Sequence, residues 1–485
     1  MKNIIFFSSA SILLFLLLIC GCEVRKEKMP ITTVSDEAMK EYLEGRNLAE
    51  NLRGQESLPY YKKAIEMDEK FAMAYVGYAF NYPSAKGFFE NLNKAVALVD
   101  KVSEGEKTYI LGVDAGVSGK PKEQQKYFEK LVEMYPDDER AHNFLGNNYF
   151  GQQLFEEAIT EFKKAVEINP KYAAPYNSLG YAYRPLEKYD EAEKAFKRYI
   201  ELIPDDPNPY DSYAELMLKM GEFEKSITNY EKALEKDKNF VASYLGIASN
   251  LNYMGNYETA RNKISELLSI ARNDGERRAA YNAMAISYAD EGNLEKALEY
   301  IDHQFELAKK INDKAAMSGD LAIMGNIYFE MGKTKEALEH FTKSVQMADA
   351  ADMSPELKEN IRLGHFYSTA SCAMKNSDLE TAKKDSEEFM KGVKAINNPN
   401  QIRLAHQLRA MIMMKENKYE DAEIELKQAN LQNPYNLYRM AIVYENLGNI
   451  EVAKEYCEKA AKFNSLANFA YAFIRNKANA MLTEL

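Results

Sequence analysis

The chain predicts an all-α fold, a right-handed superhelical solenoid of stacked helical pairs, on three observations. Small residues recur at one register: Ala158, Ala192, Ser226, Ala260, Ala297 and Ala337 stand 34, 34, 34, 37 and 40 residues apart. A second set of glycine, aromatic and proline positions keeps step with them. No run of alternating apolar and polar residues is long enough to require a sheet. A repeat of this length is one supersecondary unit that must stack on its neighbours, so the chain reads first as a binding surface.

The unit from Glu139 to Tyr172 shows the lattice, with Leu145-Gly146, Tyr149, Ala158, Phe162, Ala165 and Pro170 at places 7, 8, 11, 20, 24, 27 and 32. The next unit repeats it with Leu179-Gly180, Tyr183, Ala192, Phe196, Tyr199 and Pro204. Small residues at places 8 and 20 let two antiparallel helices approach, larger ones fill the seam, and proline ends the second helix. Tyrosines at place 11 (Tyr149, Tyr183, Tyr288, Tyr328, Tyr444) and place 4 (Tyr176, Tyr210, Tyr244, Tyr281) are therefore expected to pack in the seam, their hydroxyls reaching a helix end or water.

This lattice resembles the tetratricopeptide repeat family. About twelve units fit between residues 38 and 465, the first two degraded. Residues 38–274 keep the 34-residue form. In 275–465 the marks Tyr288, Gly292, Ala297 and Ala308 recur forty residues later as Tyr328, Gly332, Ala337 and Ala348, which is similar to the family's longer-helix subtype. Asn273-Asp274-Gly275 interrupts the helical pattern where the period changes, a point at which the solenoid can bend. Residues 466–485 read as a capping helix over the last exposed apolar face.

The N-terminus sets an address. Lys2, an apolar run from Ile4 to Ile19 and a small residue before a cysteine have the order of a secretory signal peptide over residues 1–21, too short to read as a membrane span. Ile19-Cys20-Gly21-Cys22 resembles the bacterial lipobox, which implies that Cys22 receives diacylglycerol and a further acyl chain such as palmitate, and anchors the protein at a cell envelope membrane. The expected location is the periplasmic face of an outer membrane or the cell surface. Residues 22–37 read as a polar tether, of which the fourteen residues 23–36 span at most about 50 Å when extended.

Charge and composition narrow the function classes. The net charge of −12 is spread without a basic stripe, which leaves no footprint for nucleic acid. Cys372 and Cys457 lie in different units, so a disulfide is not expected and helix packing alone must stabilise the fold. The five histidines (His142, His303, His340, His365 and His406) sit in separate units, with no pair at metal-ligand spacing. Gly332-Lys333-Thr334 lacks the earlier glycine and the preceding strand of a phosphate loop. No nucleophile elbow or cysteine–histidine pair is present, so no enzyme, metal or cofactor is expected. Glu156-Glu157, Asp190-Glu191 and Glu222 open second helices, where negative charge favours the dipole.

In the resembled family, places 2, 5, 9, 12 and 13 of each first helix face a concave groove. Here they read Arg140, Asn143, Asn147 and Phe150; Asn177, Tyr181 and Arg184; Asn208, Asp211, Glu215 and Lys219; Asn252 and Tyr253; then Asn282, Asn326, Phe329 and Glu330. Asparagine is unfavourable inside a helix and offers both donor and acceptor, so a ladder of it suits gripping an extended peptide backbone. The family's two-basic, two-asparagine carboxylate clamp is not matched, because Ser178 stands where the next unit's asparagine would be.

The resulting expectation is a lipid-anchored adaptor that binds partner proteins or extended peptides in the groove, in the assembly of envelope complexes. A solute-binding lipoprotein and a regulatory sensor module are the alternatives. The former usually carries exposed tryptophans, and this chain has none.

Overall fold

The structure, a computed structural model, describes residues 28–485, so the expected signal peptide and Cys22 lie outside the described residues. Its helices come in antiparallel pairs. The first seven are α1 (Asp36–Glu50) with α2 (Gly54–Met67), α3 (Ala72–Asn81) with α4 (Ala85–Val96), α5 (Glu104–Val117) with α6 (Pro121–Met134), α7 (Glu139–Gly151) with α8 (Phe155–Ile168), α9 (Ala174–Tyr183) with α10 (Tyr189–Leu202), α11 (Asn208–Lys219) with α12 (Phe223–Lys236), and α13 (Val241–Tyr253) with α14 (Tyr257–Ile270). Five more follow: α15 (Asp274–Glu291) with α16 (Leu294–Lys310), α17 (Lys314–Glu330) with α18 (Thr334–Asp349), α19 (Pro355–Lys375) with α20 (Leu379–Ile396), α21 (Pro399–Lys415) with α22 (Tyr419–Gln428), and α23 (Pro434–Asn446) with α24 (Ile450–Ala461). A last helix, α25 (Phe469–Glu484), stands alone.

The recurring small residues do what their spacing implies. Ala158, Ala192, Ser226, Ala260, Ala297 and Ala337 are all fully buried. A Cβ on Gly146 would come within 2.6 Å of the Phe162 ring, so only glycine lets α7 and α8 meet at that aromatic. Gly332 has φ +78° in the turn between α17 and α18, which accounts for it without a phosphate. Tyrosine hydroxyls reach helix ends: Tyr210 Oη donates to Pro204 O at 3.0 Å and Tyr244 Oη to Lys238 O at 3.0 Å. Glu156, Glu157, Asp190 and Glu191 lie in the first turns of α8 and α10, as the dipole favours.

Seven pairs complete one turn of the superhelix, and the second turn stacks on the first. The seam is held by cap residues with two tasks each. Asn273, Asp313, Ser354 and Asn398 cap α15, α17, α19 and α21. Asn273 Nδ2 also donates to Gln55 Oε1 at 2.8 Å, and Asp313 Oδ2 accepts from Lys86 N at 3.0 Å. Ser354 Oγ meets Ser118 Oγ at 2.9 Å, and Asn398 Nδ2 donates to Gly119 O at 2.8 Å. The Asn273-Asp274-Gly275 interruption is thus where the chain returns to its own beginning. The first helices of both stacked turns carry the inner, concave wall of the superhelix, the channel.

Two terminal segments depart from expectation. The tether expected over 22–37 is docked from Lys28 onward. Lys28 Nζ pairs with Glu139 at 2.5 Å, Met29 N donates to Asp138 at 2.9 Å, and Thr32 N donates to Glu106 at 2.8 Å. Thr33 Oγ1 donates to Asp68 at 2.7 Å. Buried acidic groups along α2, α5 and α7 supply the acceptors that an extended strap needs. The cap, expected only to cover the last pair, does more: α25 packs on α23 and α24 and also on α15, four pairs back, so it crosses the channel. Its Phe469, Ala472 and Phe473 join the α15–α17 core with Ala285 and Ile286.

Candidate functional site

The expected groove residues lie on first helices of successive pairs and line the channel wall, except Arg184, which sits in the short turn after α9. Their states differ along it. Arg140 is committed to internal contacts: its guanidinium donates to both Glu50 oxygens, at 3.0 and 3.2 Å, and lies over the Tyr172 ring. Asn143 and Asn177, one repeat apart, each have a buried carboxamide oxygen with no hydrogen-bond partner among the described residues. Asn147 is exposed, one turn of helix beyond Asn143.

The next positions form one polar network. Tyr181 Oη and Arg184 Nη1 both donate to Glu215, each at 2.8 Å, and the Arg184 guanidinium lies 5.0 Å from the Tyr181 ring centroid. Ser243 Oγ donates to Asp211 Oδ1 at 2.7 Å. Burial pushes the Asp211 carboxyl up to about 7, so near neutral pH it is partly protonated. Burial, with Arg184 nearby, pulls Lys219 down to about 8.

Beyond α11 the wall is covered by the chain itself. Residues 463–468 form the irregular link between α24 and α25, with Asn464 at φ +46°, and are held in part through their backbone. Lys219 Nζ donates to Phe463 O at 2.6 Å, Tyr253 Oη donates to Ser465 O at 2.7 Å, and Ala467 N donates to Ser249 Oγ at 3.1 Å. Behind this stretch, Arg475 of α25 reaches Asp290 of α15, its Nε donating to Oδ1 at 3.0 Å and its Nη2 to the other oxygen. Arg475 also donates to Asn252 O at 3.4 Å and to Tyr257 Oη at 2.9 Å. Asn252 Oδ1 accepts from Ser287 Oγ at 2.8 Å. Asn252 and Tyr253 are therefore engaged in cis, whereas half-buried Asn282 and exposed Asn326 stay on the channel wall.

Sequence reasoning missed Ser249, Asp290 and Arg475. Ser249 carried a signal, standing one 34-residue step after Glu215, itself one step after Tyr181 and two after Asn147. Arg475 carried one too, as a charge on a stripe with buried Tyr471, Ala472, Ile474 and Ala478.

For other chemistry the geometry offers little. Among the described residues no three His, Cys, Asp or Glu side chains converge as metal ligands. His303 packs between Tyr281 and Tyr300, with centroids 5.4 and 5.8 Å away. Cys372 and Cys457 are buried free thiols, both pushed up to about 11 by burial. Among the described residues no helix is long and apolar enough to cross a membrane.

Family models for the tetratricopeptide repeat match residues 276–350, 173–206 and 434–465, and a TPR repeat model matches 146–186. The chain carries tetratricopeptide repeats. The TPR repeat-containing protein MJ1428 of Methanocaldococcus jannaschii is 24% identical over 252 residues, 51% of this chain and 42% of that protein, so the match spans less than half of the relative's length. Among solved structures, the crystal structure of MamA protein shares 23% identity over 36% of this chain and 93% of its own, with a TM-score of 0.29. The crystal structure of yeast Tom70 shares 14% identity over 92% and 95%, with a TM-score of 0.41. The repeat fold is consistent with a protein–protein interaction scaffold.

Proposed function

We propose that this tetratricopeptide solenoid is a membrane-anchored adaptor that holds an extended segment of a partner protein in the free stretch of its channel, between α7 and α11. The observation that carries this reading is the grip on residues 463–467. There the wall holds main-chain carbonyls and an amide through Lys219, Ser249 and Tyr253, and Lys219 also lies over the Phe463 ring. One and two repeats earlier the same wall offers Asn143, Asn147 and Asn177, with two carboxamide oxygens lacking partners. Backbone recognition of this kind gives affinity with broad sequence tolerance, which suits an assembly factor that serves several envelope partners.

Anchorage follows from acylation of Cys22. Because Lys28 is already paired with Glu139, the leash from lipid to solenoid is about 22 Å at most, far less than a free tether gives. The adaptor then works close to the bilayer, with its first turn nearest the anchor.

The test is a crosslinked pull-down from membranes of cells carrying wild type, the Asn143→Ala/Asn147→Ala/Asn177→Ala triple variant, or Cys22→Ala. The expected result is loss of most partners from the triple variant at unchanged protein level, and release of Cys22→Ala protein to the soluble fraction. An unchanged partner set in the triple variant overturns the groove reading. Undiminished membrane retention of Cys22→Ala overturns the anchor.

A further inference from the structure

Apart from the stretch between α7 and α11, the second turn forms a half-open pocket that the repeat lattice does not explain. It has a volume of 280 Å³ and lies where α17, α19, α21 and α23 face the channel, with α25 as the remaining wall. Phe329, Tyr367, Met411 and Phe473 give it an apolar lining. That size is near the lower end of the roughly 300–1,000 Å³ of ordinary ligand sites, so any occupant is small.

Its polar groups are unevenly satisfied. Glu330 is neutralised in place, its Oε1 accepting from Tyr435 Oη at 2.6 Å and its Oε2 from Lys477 Nζ at 2.9 Å. Gln407 Nε2 donates to Tyr367 Oη, which turns toward Met411 Sδ at 3.8 Å. Arg439 is different. Its guanidinium lies 5.0 Å from the Tyr435 ring centroid and donates to a neutral acceptor, Asn436 Oδ1, at 2.9 Å. Among the described residues no carboxylate comes within 4.0 Å of it. The other channel arginines contrast with it: Arg140 faces Glu50, Arg184 faces Glu215 and Arg475 faces Asp290. A half-buried guanidinium stacked on an aromatic ring and short of an anion is built to receive a carboxylate in a fork.

We propose that this cavity binds a small carboxylic acid with an aromatic body, its carboxylate on Arg439 and its ring among Phe329, Tyr367, Met411 and Phe473. The neutral parts of the site fit the ring, and the one uncompensated charge fits the acid. An alcohol or amide of the same shape fills the same space but leaves the guanidinium without its counter-charge.

The experiment is isothermal titration of the purified full chain with 3-phenylpropionate, 3-phenylpropanamide and 3-phenylpropanol. Saturable binding of the acid is expected, with the amide and alcohol at least about tenfold weaker. Arg439→Gln should weaken the acid by about the same factor and leave the amide unchanged, because it removes charge without removing the ring pocket. Ala470→Phe, which places a ring in the cavity, should abolish binding of all three while circular dichroism stays unchanged. Absence of saturable acid binding at millimolar concentration, equal binding of acid and amide, or an undiminished acid affinity in Arg439→Gln each overturns the proposal. The partner pull-down is read separately and is expected to be unaffected by Arg439→Gln.

Discussion

Between α7 and α11 the channel wall carries Asn143 and Asn177, whose oxygens have no partner among the described residues, whereas along α11 and α13 the wall holds residues 463–467 and α25 packs on α15. The two stretches come from the same repeat and place polar side chains at the same steps, so the lattice does not decide which is available. A segment outside the repeats does. In the covered stretch the polar positions have become structural, and Asn252 and Tyr253 help to fix the C-terminal segment to the turn that it crosses. Among the described residues the open stretch has no such occupant, and its unpaired groups are the ones from which binding is expected.

The comparison is broken most forcefully at Arg475. Asp290 is 2% exposed, and its ionised form is tolerated there because Arg475 faces it. Arg475→Ala leaves that carboxylate buried without its counter-charge and with only the Tyr257 hydroxyl beside it, an expected loss of about 3–5 kcal/mol concentrated in α15 and α25. Hydrogen exchange should show lost protection in those two helices and little change in α7 and α9, because units of a solenoid answer mainly to their neighbours. If α25 keeps its protection in Arg475→Ala, the ion pair is not what holds the segment down. Replacing both partners, Arg475→Met with Asp290→Leu, should restore most of the loss.

The open stretch has its own strained group. Asp211 is raised from the ordinary carboxylate range to about 7 by burial, so its protonated form is favoured by folding. The folded state then holds a proton that the unfolded state gives up near pH 4. Stability from this residue is complete below that value, falls as pH rises toward 7, and is gone above it. Asp211→Asn keeps an oxygen for Ser243 Oγ and removes the titration. The variant is expected to match wild type near pH 4 and to exceed it at pH 8 by a few kcal/mol, up to about 4. Urea melts at the two pH values check this, and equal differences at both would refute a buried, raised Asp211.

How much of this was legible in the chain follows from the range of the contacts. The pairing of α7 with α8 is written in Gly146, Ala158 and Phe162, within one repeat, and the ladder of Asn147, Tyr181 and Glu215 follows from the same period. The turn-to-turn seam was not legible, since Asn398 meets Gly119 across 279 residues and each cap looks locally like an ordinary helix start. The same holds for Asp290, which finds Arg475 185 residues later. The strap at Lys28–Val34 follows the charged run Glu23-Val24-Arg25-Lys26 and carries no repeat mark, so the sequence predicts a tether there, although Met29 and Ile31 pack against the first core cluster. The acceptors that dock it, Asp68, Glu106, Asp138 and Glu139, belong to other units.

The finest contrast between the two turns lies in a pair of histidines. His142 of the first turn sits between Glu161 Oε2, 2.6 Å from Nδ1, and Pro136 O, 3.0 Å from Nε2. Burial disfavours its charge, but the two acceptors outweigh burial and raise its pKa. His365 of the second turn is lowered by burial, and its Nδ1 has no hydrogen-bond partner. The signs are therefore opposite. The His142 contribution is fully present below the unfolded histidine pKa and is lost as pH rises through the raised folded value. The His365 contribution is present above the unfolded pKa and is lost as pH falls through the depressed folded value. His142→Gln is expected to cost under about 1 kcal/mol at pH 5.5 and almost nothing at pH 8.5, whereas His365→Gln should remove acid sensitivity of similar size. Imidazole titration by NMR reads both directly, and a His142 midpoint below that of His365 would show that burial, not the Glu161 and Pro136 acceptors, governs the first turn.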